Sequence, residues 1–339
     1  MIYFKRWKLR GAILLPFALA AMTPREPAKA AEAGQSTPAE IHDQARPSTE
    51  KTQALQLLAQ RDAIVNEVGF LLARAAAPEC PGQTEQAGFA LHSASQYAPV
   101  WRESVQDLFG IADQVAFAAI AAESAPAAAG LQVGDQIVAI NGARFGPGNN
   151  DPQASFAQTD RIYEQLLGAL QRGQADLLVR RGGIDIPIRI EARAGCAVVF
   201  QIRSGKGLTA TSGRQWISIS DEMVAFAADE SELAYILAHE LAHVVLGDAD
   251  RRSPRRVSAR QREQRADLAG QMLAACAGFD PSAGARFWQR YGKARPLAAL
   301  GSFHHAPPSS RARAIAERAA SLARDPRSGC PPWPDAQIG

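Results

Sequence analysis

Residues 232–247 read ELAYILAHELAHVVLG, and this stretch decides how the rest of the chain is interpreted. It contains no Pro and no Gly before Gly247, so it predicts a helix that is apolar on nearly every face. At its centre lies an H-E-x-x-H motif, in which His239 and His243 are four residues apart. Residues with this spacing share one face of a helix, so both imidazoles can reach one metal ion. Polar groups inside a core helix are costly unless they are paired, and a metal ion would pair them.

Glu240 follows the first histidine and lies beside the face that would bind the metal. From there its carboxylate can act as a general base toward a water molecule that the metal activates, without itself being a ligand. A catalytic zinc site of this kind needs a third protein ligand and leaves its fourth position open. The sequence must therefore supply that ligand elsewhere.

A second helix is predicted from about residue 258 to residue 277, and it carries the segment E-Q-R-A-D. Its first residue, Glu263, is expected to complete a His-His-Glu zinc site. Asp267, one turn later on the same face, is expected to accept a hydrogen bond from the outer ring nitrogen of a ligand histidine. Asp248 is a rival third ligand, but five residues after His243 it is expected to point away from the histidines. We therefore prefer Glu263.

These motifs, with two later ones, resemble the gluzincin metallopeptidases of the HtpX and CAAX prenyl protease (Ste-type) family, especially its soluble periplasmic BepA- and LoiP-like members. After H-E-L-A-H and E-Q-R-A-D come a G-F-D-P turn and a segment similar to the family's H-P-x-x-x-x-R, with Ala306 where proline is usual. The resemblance covers residues 197–325. It implies a mainly helical zincin domain with a short sheet, one zinc ion per chain and polypeptide substrates. It also implies the cleavage of unfolded or misassembled envelope proteins, with envelope or outer-membrane assembly proteins as partners.

His305 receives a catalytic position from the same resemblance, through its spacing to Arg311. One role would be to occupy the fourth zinc position and keep the enzyme latent. The other would be to stabilise the oxyanion, for which Arg311 is also a candidate. His304 is the alternative if His305 has neither role, and both histidines can equally be exposed loop residues.

The first 30 residues have the layout of a secretory signal peptide, which predicts an exported, periplasmic protein. Four basic residues precede a 12-residue apolar run at residues 11–22, which is too short to span a bilayer comfortably. An uncleaved N-terminal anchor is the alternative, and membrane contact is otherwise expected to be peripheral at most. Residues 31–50 predict a disordered linker, and residues 51–79 predict a helix that packs on the protease domain.

Residues 80–196 predict a second, β-rich domain, so the expected fold class is α+β. The segment A-G-L-x-x-G-D-x-I-x-x-I-N-G at residues 129–142 resembles the PDZ domain. A helix at residues 159–171 and a hairpin at residues 175–190 complete the unit. Because PDZ domains bind extended peptides at a sheet edge, the domain is expected to recruit substrate. The G-F-A-L stretch at residues 88–91 fits the carboxylate-binding loop only in part, so recognition of C termini stays open.

Four cysteines in an exported chain favour two disulfides, for which three pairings are possible. Cys80 and Cys196 bracket the β-rich domain, whose ends should lie close together, so we expect them to pair. Cys276 and Cys330 would form the second bond as the last helix packs back on the core. Residues 326–339 then form a C-terminal tail.

The formal net charge of +3 is carried mainly by the first 30 residues, which gives no reason to expect nucleic acid as a partner. Trp216–Ser220 alternates apolar and polar residues and predicts a strand, whose edge is expected to hold extended substrate. The chain is therefore interpreted as a zinc endopeptidase of the envelope. The competing hypothesis is a non-enzymatic envelope chaperone or scaffold with a closed zinc site. Glu240 argues against it, because a structural site needs no base.

Overall fold

The computed structural model describes residues 38–111, 114–146, 148, 153–191, 193–203, 206–248, 258–296 and 306–322. These residues form a mixed α+β fold, which confirms the predicted class. The helices are α1 (Pro38–Ala75), α2 (Pro99–Phe109), α3 (Ala125–Ala128), α4 (Ala157–Leu170), α5 (Asp221–Phe226), α6 (Glu230–Val245), α7 (Ala259–Cys276), α8 (Ala283–Ala294) and α9 (Pro308–Leu322). The strands are β1 (Gln83–Gln86), β2 (Phe89–His92), β3 (Ala116–Ile120), β4 (Gln136–Ile140), β5 (Ala143–Arg144), β6 (Gln174–Arg181), β7 (Ile184–Glu191), β8 (Arg193–Cys196), β9 (Val199–Arg203), β10 (Ala210–Ser212) and β11 (Trp216–Ser220). In the part of the chain that is described, no helix has both the length and the apolarity needed to cross a bilayer.

A six-stranded antiparallel sheet forms the centre of the β-rich unit. Its order is β2-β3-β4-β6-β7, and β5 pairs with β4. Helix α4 packs on this sheet through Ile162, Leu166 and Leu170, which are buried as expected, whereas Leu167 is only half-buried. The predicted strand β4, the predicted helix and the predicted closing hairpin of β6 and β7 are all present.

The β-rich unit leaves and rejoins the chain through the antiparallel pair β1 and β8. The disulfide Cys80–Cys196 lies at the base of this pair, which confirms the predicted bond. The ends of the unit therefore lie side by side, as expected for a domain inserted into another. Cys276 is also disulfide-bonded, but its predicted partner, Cys330, lies outside the described residues.

Helix α1 connects the two units. Its later part places Val65, Val68 and Leu72 in one core with α6. Its earlier part packs Leu55 against residues of α2 and β3. The helix begins at Pro38 rather than at residue 51, so most of the expected linker is helical. Pro38 lies in the first turn, where proline is well tolerated, but Pro47 lies inside the helix, where its missing N–H removes one backbone hydrogen bond.

A three-stranded sheet with the order β10-β11-β9 precedes α6. Strand β11 was predicted from alternation and expected to present its edge to substrate, but it is the central strand, parallel to β9 and antiparallel to β10. The serines that suggested an exposed face, Ser218 and Ser220, are buried as well as Ile217 and Ile219, because both faces of the strand are covered. Among the described strands, the edges of this sheet are β9 and β10.

Candidate metal centre

Helix α6 holds both histidines of the H-E-x-x-H motif in a fixed orientation. Asp229 caps its first turn by accepting a hydrogen bond of 2.8 Å from the backbone N–H of Glu232. The remaining faces of the helix are buried, with Leu237 and Leu241 fully enclosed. The helix is therefore anchored by its apolar faces, and this anchoring fixes the direction of the two imidazoles.

Glycine at position 270 allows α7 to approach α6 closely. A Cβ atom there would lie 2.7 Å from the backbone N and Cα of His239, a separation that no other residue type would tolerate. The start of α7 is fixed by a capping box between Ser258 and Gln261. Glu263 lies two turns before Gly270 on this helix, and the close approach carries its carboxylate to the histidines.

The structure brings together His239, His243 and Glu263, with ligand atoms that all lie within 4.8 Å of one another. Nε2 of His239 is 3.4 Å from Oε2 of Glu263, and Nε2 of His243 is 3.5 Å from Oε1 of the same carboxylate. Around a tetrahedral zinc ion with bonds of about 2.0–2.1 Å, two ligand atoms are separated by roughly 3.3–3.4 Å. The two imidazole-to-carboxylate distances, which involve different oxygens of Glu263, are close to this value, and the donor set is one that can hold a metal ion.

The outer ring nitrogen of each histidine faces a carboxylate. Nδ1 of His239 lies 3.1 Å from Oδ1 of Asp267, although the two are not aligned for a hydrogen bond. Nδ1 of His243 lies 2.8 Å from Oδ2 of Asp248 and is hydrogen-bonded to it. This arrangement directs Nε2 of each ring toward the metal position. Asp267 thus lies beside the outer nitrogen of His239 as expected, but without the aligned hydrogen bond that was predicted, whereas Asp248 is hydrogen-bonded to His243.

The expectation that Asp248 points away from the histidines was wrong, and Gly247 explains why. A continued helix would have carried Asp248 to another face, but Gly247 has a φ of 71° and ends the helix in the left-handed conformation. The backbone N–H of Asp248 then bonds the carbonyl of His243 at 3.0 Å, and the side chain folds back onto the imidazole. A glycine directly after the helix was the sequence signal for this turn.

Burial and neighbouring carboxylates act in opposite directions on the histidines. Burial alone would lower the pKa of His243, but Asp248 and Glu263 outweigh it and raise that pKa to about 9. Burial would likewise lower the pKa of His239, but Asp267 and Glu263 outweigh this effect, so that pKa is also raised. For Glu263 burial would raise the pKa, but the two imidazoles lower it. A metal ion that binds here must displace protons from the histidines.

Glu240 lies beside the three ligands but outside the group. The hydroxyl of Ser212 donates a hydrogen bond of 2.8 Å to its Oε2 atom, which fixes the carboxylate toward strand β10. Ser212 was not singled out from the sequence, because the bond joins residues 28 positions apart and no local pattern indicates it. The expected base is therefore hydrogen-bonded to the last residue of strand β10.

Arg311 was a candidate for oxyanion stabilisation, and the structure gives it a different position. Its Nε donates to Oδ2 of Asp267 at 2.6 Å, and its Nη2 contacts Oδ1 of the same carboxylate. Burial would raise the pKa of Asp267, but Arg311 and His239 lower it to about 2. The guanidinium is therefore bound to the carboxylate behind His239. His304 and His305 lie outside the described residues, so their predicted roles stay predictions.

No protein-family model matches this chain, and no curated protein is significantly similar to it. The resemblance of its motifs to a peptidase family is therefore not supported by a match over a longer stretch. A function must therefore be inferred from the geometry of His239, His243 and Glu263 and from the residues around them.

Proposed function

We propose that this protein is a zinc-dependent endopeptidase of the HtpX-like gluzincin type, with a zincin-like helical unit. The observation that carries the proposal is the distance from the Nε2 atoms of His239 and His243 to the carboxylate of Glu263, 3.4 and 3.5 Å, with Glu240 near enough to help raise the pKa of His243. When bound, a zinc ion at this position supplies a Lewis acid that polarises a carbonyl and lowers the pKa of water.

The roles of the residues follow from their positions. His239, His243 and Glu263 hold the ion, while Asp267 and Asp248 orient the two imidazoles. Glu240 accepts a proton from the attacking water and then returns it to the leaving amine. The hydrogen bond from Ser212 keeps the Glu240 carboxylate in one orientation through both transfers.

Strand β10 is proposed to hold the substrate. It is an edge strand of three residues, and Ser212 at its end contacts the proposed base. An extended polypeptide that pairs with this edge would place its backbone next to Glu240. Main-chain hydrogen bonds give little sequence selectivity, which suits an enzyme for unfolded proteins.

The β-rich unit is proposed to be a PDZ-like domain that recruits substrate. Strand β2 lies at the edge of its sheet, and α4 lies beside it, with the rings of Phe89 and Tyr163 5.8 Å apart. Phe89, Tyr163 and Leu167 line a cleft that continues to Gln201 on β9. An edge strand facing a helix is the geometry by which PDZ domains add a peptide strand.

We also propose that the protein is exported and periplasmic. The Cys80–Cys196 disulfide is typical of an oxidising compartment. The expected substrates there are unfolded or misassembled envelope proteins, with envelope assembly proteins as further partners. The signal-like residues 1–30 lie outside the described part of the chain.

A non-enzymatic scaffold would need a fourth protein ligand to close the zinc site. Among the described residues, no further His, Cys, Asp or Glu joins the group of three. The cluster therefore has the composition of a catalytic site rather than that of a closed structural one.

The test is hydrolysis of casein by the purified protein before and after removal of the metal by chelation. We expect activity to be lost and then restored by stoichiometric Zn²⁺. Activity that survives complete metal removal would contradict the proposal. So would a zinc-loaded protein with no hydrolysis of casein or of other unfolded proteins.

A further inference from the structure

Helices α8 and α9 provide no member of the proposed metal site among the described residues, yet Arg311 of α9 binds the carboxylate behind His239 and Trp288 of α8 stacks on Arg311. From α9 comes Arg311, whose side chain is almost fully buried. From α8 comes Trp288, and the guanidinium of Arg311 lies 3.6 Å from the centre of its ring. Stacking on an aromatic face stabilises a cation, especially when water is excluded.

The same tryptophan reaches Asp267 by a second route. Its Nε1–H donates a hydrogen bond of 2.9 Å to the hydroxyl oxygen of Tyr235, and that hydroxyl donates one of 2.7 Å to Oδ1 of Asp267. Trp288 thus supports Asp267 both through Tyr235 and through Arg311. We refer to Tyr235, Asp267, Trp288 and Arg311 as the rear cluster.

The rear cluster leaves Asp267 little freedom to rotate. Arg311 holds both of its oxygens, and Tyr235 holds one of them a second time. Bidentate contact between a guanidinium and a carboxylate fixes geometry as well as charge. A buried ion pair is costly to form, so its value here lies in orientation rather than in stability alone.

Two metal ligands lie directly in front of this rigid group. Nδ1 of His239 is 3.1 Å from Oδ1 of Asp267. Nη2 of Arg311 is 3.9 Å from Oε2 of Glu263. One guanidinium therefore lies behind two of the three ligands, and any shift of α9 would be transmitted to both.

We infer that Arg311, held in place by Trp288, is a positioning residue that sets the zinc affinity and the coordination geometry of the His239–His243–Glu263 site. The inference rests on the proposed function, because it concerns the same site. Loss of a partner behind a metal ligand commonly weakens metal binding by about 10–100-fold. A purely structural anchor for α9 would instead change the stability of the fold and leave the site unaltered.

The experiment compares Arg311→Lys, Trp288→Phe and wild-type full-length protein. Lysine keeps the charge but loses the fork of donors, and phenylalanine keeps an aromatic face but loses the Nε1–H. Arg313→Lys is the matched control, because Arg313 is exposed on the same helix. Zn²⁺ affinity is measured by competition with a chromophoric chelator. The visible spectrum of the Co²⁺-loaded protein reports coordination geometry, and thermal unfolding of the metal-free protein reports stability.

We expect Arg311→Lys to bind Zn²⁺ about 10–100-fold more weakly and to change the Co²⁺ spectrum. Trp288→Phe should shift both in the same direction by a smaller factor, and Arg313→Lys should change neither. Unchanged affinity and an unchanged spectrum in a folded Arg311→Lys protein would overturn the inference. If that variant does not fold, the same null result in Trp288→Phe overturns it.

The outcomes also separate this inference from the proposed function. A wild-type protein that binds Zn²⁺ but cleaves no polypeptide contradicts the peptidase, while the affinities of the variants still decide the role of Arg311. A wild-type protein that binds no Zn²⁺ contradicts both. If the wild type is an active zinc enzyme and the variants have the same Zn²⁺ affinity and Co²⁺ spectrum, only the role inferred for Arg311 is contradicted.

Discussion

The helical unit and the β-rich unit treat charged groups in opposite ways. The helical unit buries Glu232, Asp267 and Arg311 almost completely. The main core of the β-rich unit is built from apolar side chains, and ion pairs such as Arg180–Asp185 lie on its surface. Because a buried charge is expensive, a chain keeps it where a site or a specific contact requires it. This difference agrees with our proposal that the helical unit carries the chemistry and the β-rich unit recognises substrate.

Asp135 is the informative exception, since it is a fully buried carboxylate in the β-rich unit. It accepts hydrogen bonds from the backbone N–H of Gln132 at 2.9 Å and from Arg181 at 2.6 Å. These contacts stabilise the turn before β4, and the carboxylate does not belong to a group of metal-ligating side chains. Asp135 is thus a single buried charge that holds a turn, whereas Asp267 belongs to a connected group of buried polar side chains behind His239.

The largest effect is expected for Glu263→Ala. Removing one of three protein ligands should weaken Zn²⁺ binding by about 10³-fold or more and abolish hydrolysis, because the remaining histidines cannot define a tetrahedral site. Metal content after gel filtration and chelator competition measure the effect. The next residue, Gln264, carries no carboxylate that could compensate. Full retention of zinc would show that the cluster does not bind metal as proposed.

The next largest effect is expected for Asp248→Ala. The hydrogen bond to Nδ1 of His243 is lost, so Zn²⁺ affinity well above neutral pH should fall by about 10–100-fold. Asp267→Ala is less suitable here, because it would also leave Arg311 buried without its partner. An unchanged affinity would show that the contact with Asp248 has no part in metal binding.

The pH dependence gives the same variant a second readout. The pKa of His243 is raised to about 9, so below that pH the imidazole carries a proton that the metal must displace. Zinc affinity of the wild type should therefore increase as the pH rises and level off near pH 9. In Asp248→Ala the pKa of His243 should fall, because the carboxylate that raises it is gone, and the levelling should occur at lower pH. Chelator competition across this pH range measures the Zn²⁺ affinity. If the pH at which the affinity levels off is the same in Asp248→Ala and in the wild type, Asp248 does not raise the pKa of His243.

A smaller effect is expected for Ser212→Ala, in which Glu240 loses the hydrogen bond that orients it. The turnover number on casein should fall by about 10-fold with unchanged zinc content, an estimate based on the usual contribution of proton transfer. Thr211→Ala is the control, because Thr211 is the exposed neighbour on the same strand. Equal losses in both variants would mean that the strand, rather than the hydroxyl, is what matters.

The smallest effect on the chemistry is expected from removing the β-rich unit. Gln86 and Arg193 face each other across the β1–β8 pair, so a short turn can join them and keep Cys80–Cys196. Zinc content and cleavage of small peptides should stay within about 3-fold of the full chain, since no ligand lies in the removed part. Cleavage of folded or partner-bound proteins should slow more. Equal loss on both substrate types would make the unit structural.

The group that could hold a metal could be predicted because each of its parts lies in a short motif. His239 and His243 are related by helical spacing, Glu263 lies in a second motif, and the helix α7 that carries it ends within one residue of its predicted end. Cys80–Cys196 was predictable because a domain inserted into another has adjacent ends. These features depend on short stretches or on simple topology, which a single sequence records.

What the sequence did not reveal depends on contacts between distant stretches. Strand order decides that β11 is central and that β10 has the free edge, and no alternation pattern contains that order. The bond from Ser212 to Glu240 follows from the same pairing. The position of Asp248 was predicted wrongly because a continued helix does not include the turn that the chain makes at Gly247. The close approach at Gly270 is visible only when both helices are in place.

The most direct test of the central claim is the Glu240→Gln protein, assayed for bound zinc and for casein hydrolysis beside the wild type. Glutamine keeps the size of the side chain and cannot accept the proton, and Glu240 is not one of the three ligands. We predict one zinc ion per chain in both proteins and a loss of hydrolysis of about 10²–10⁴-fold in the variant. If zinc-loaded Glu240→Gln protein hydrolyses casein at the rate of the wild type, Glu240 is not the base of a zinc peptidase.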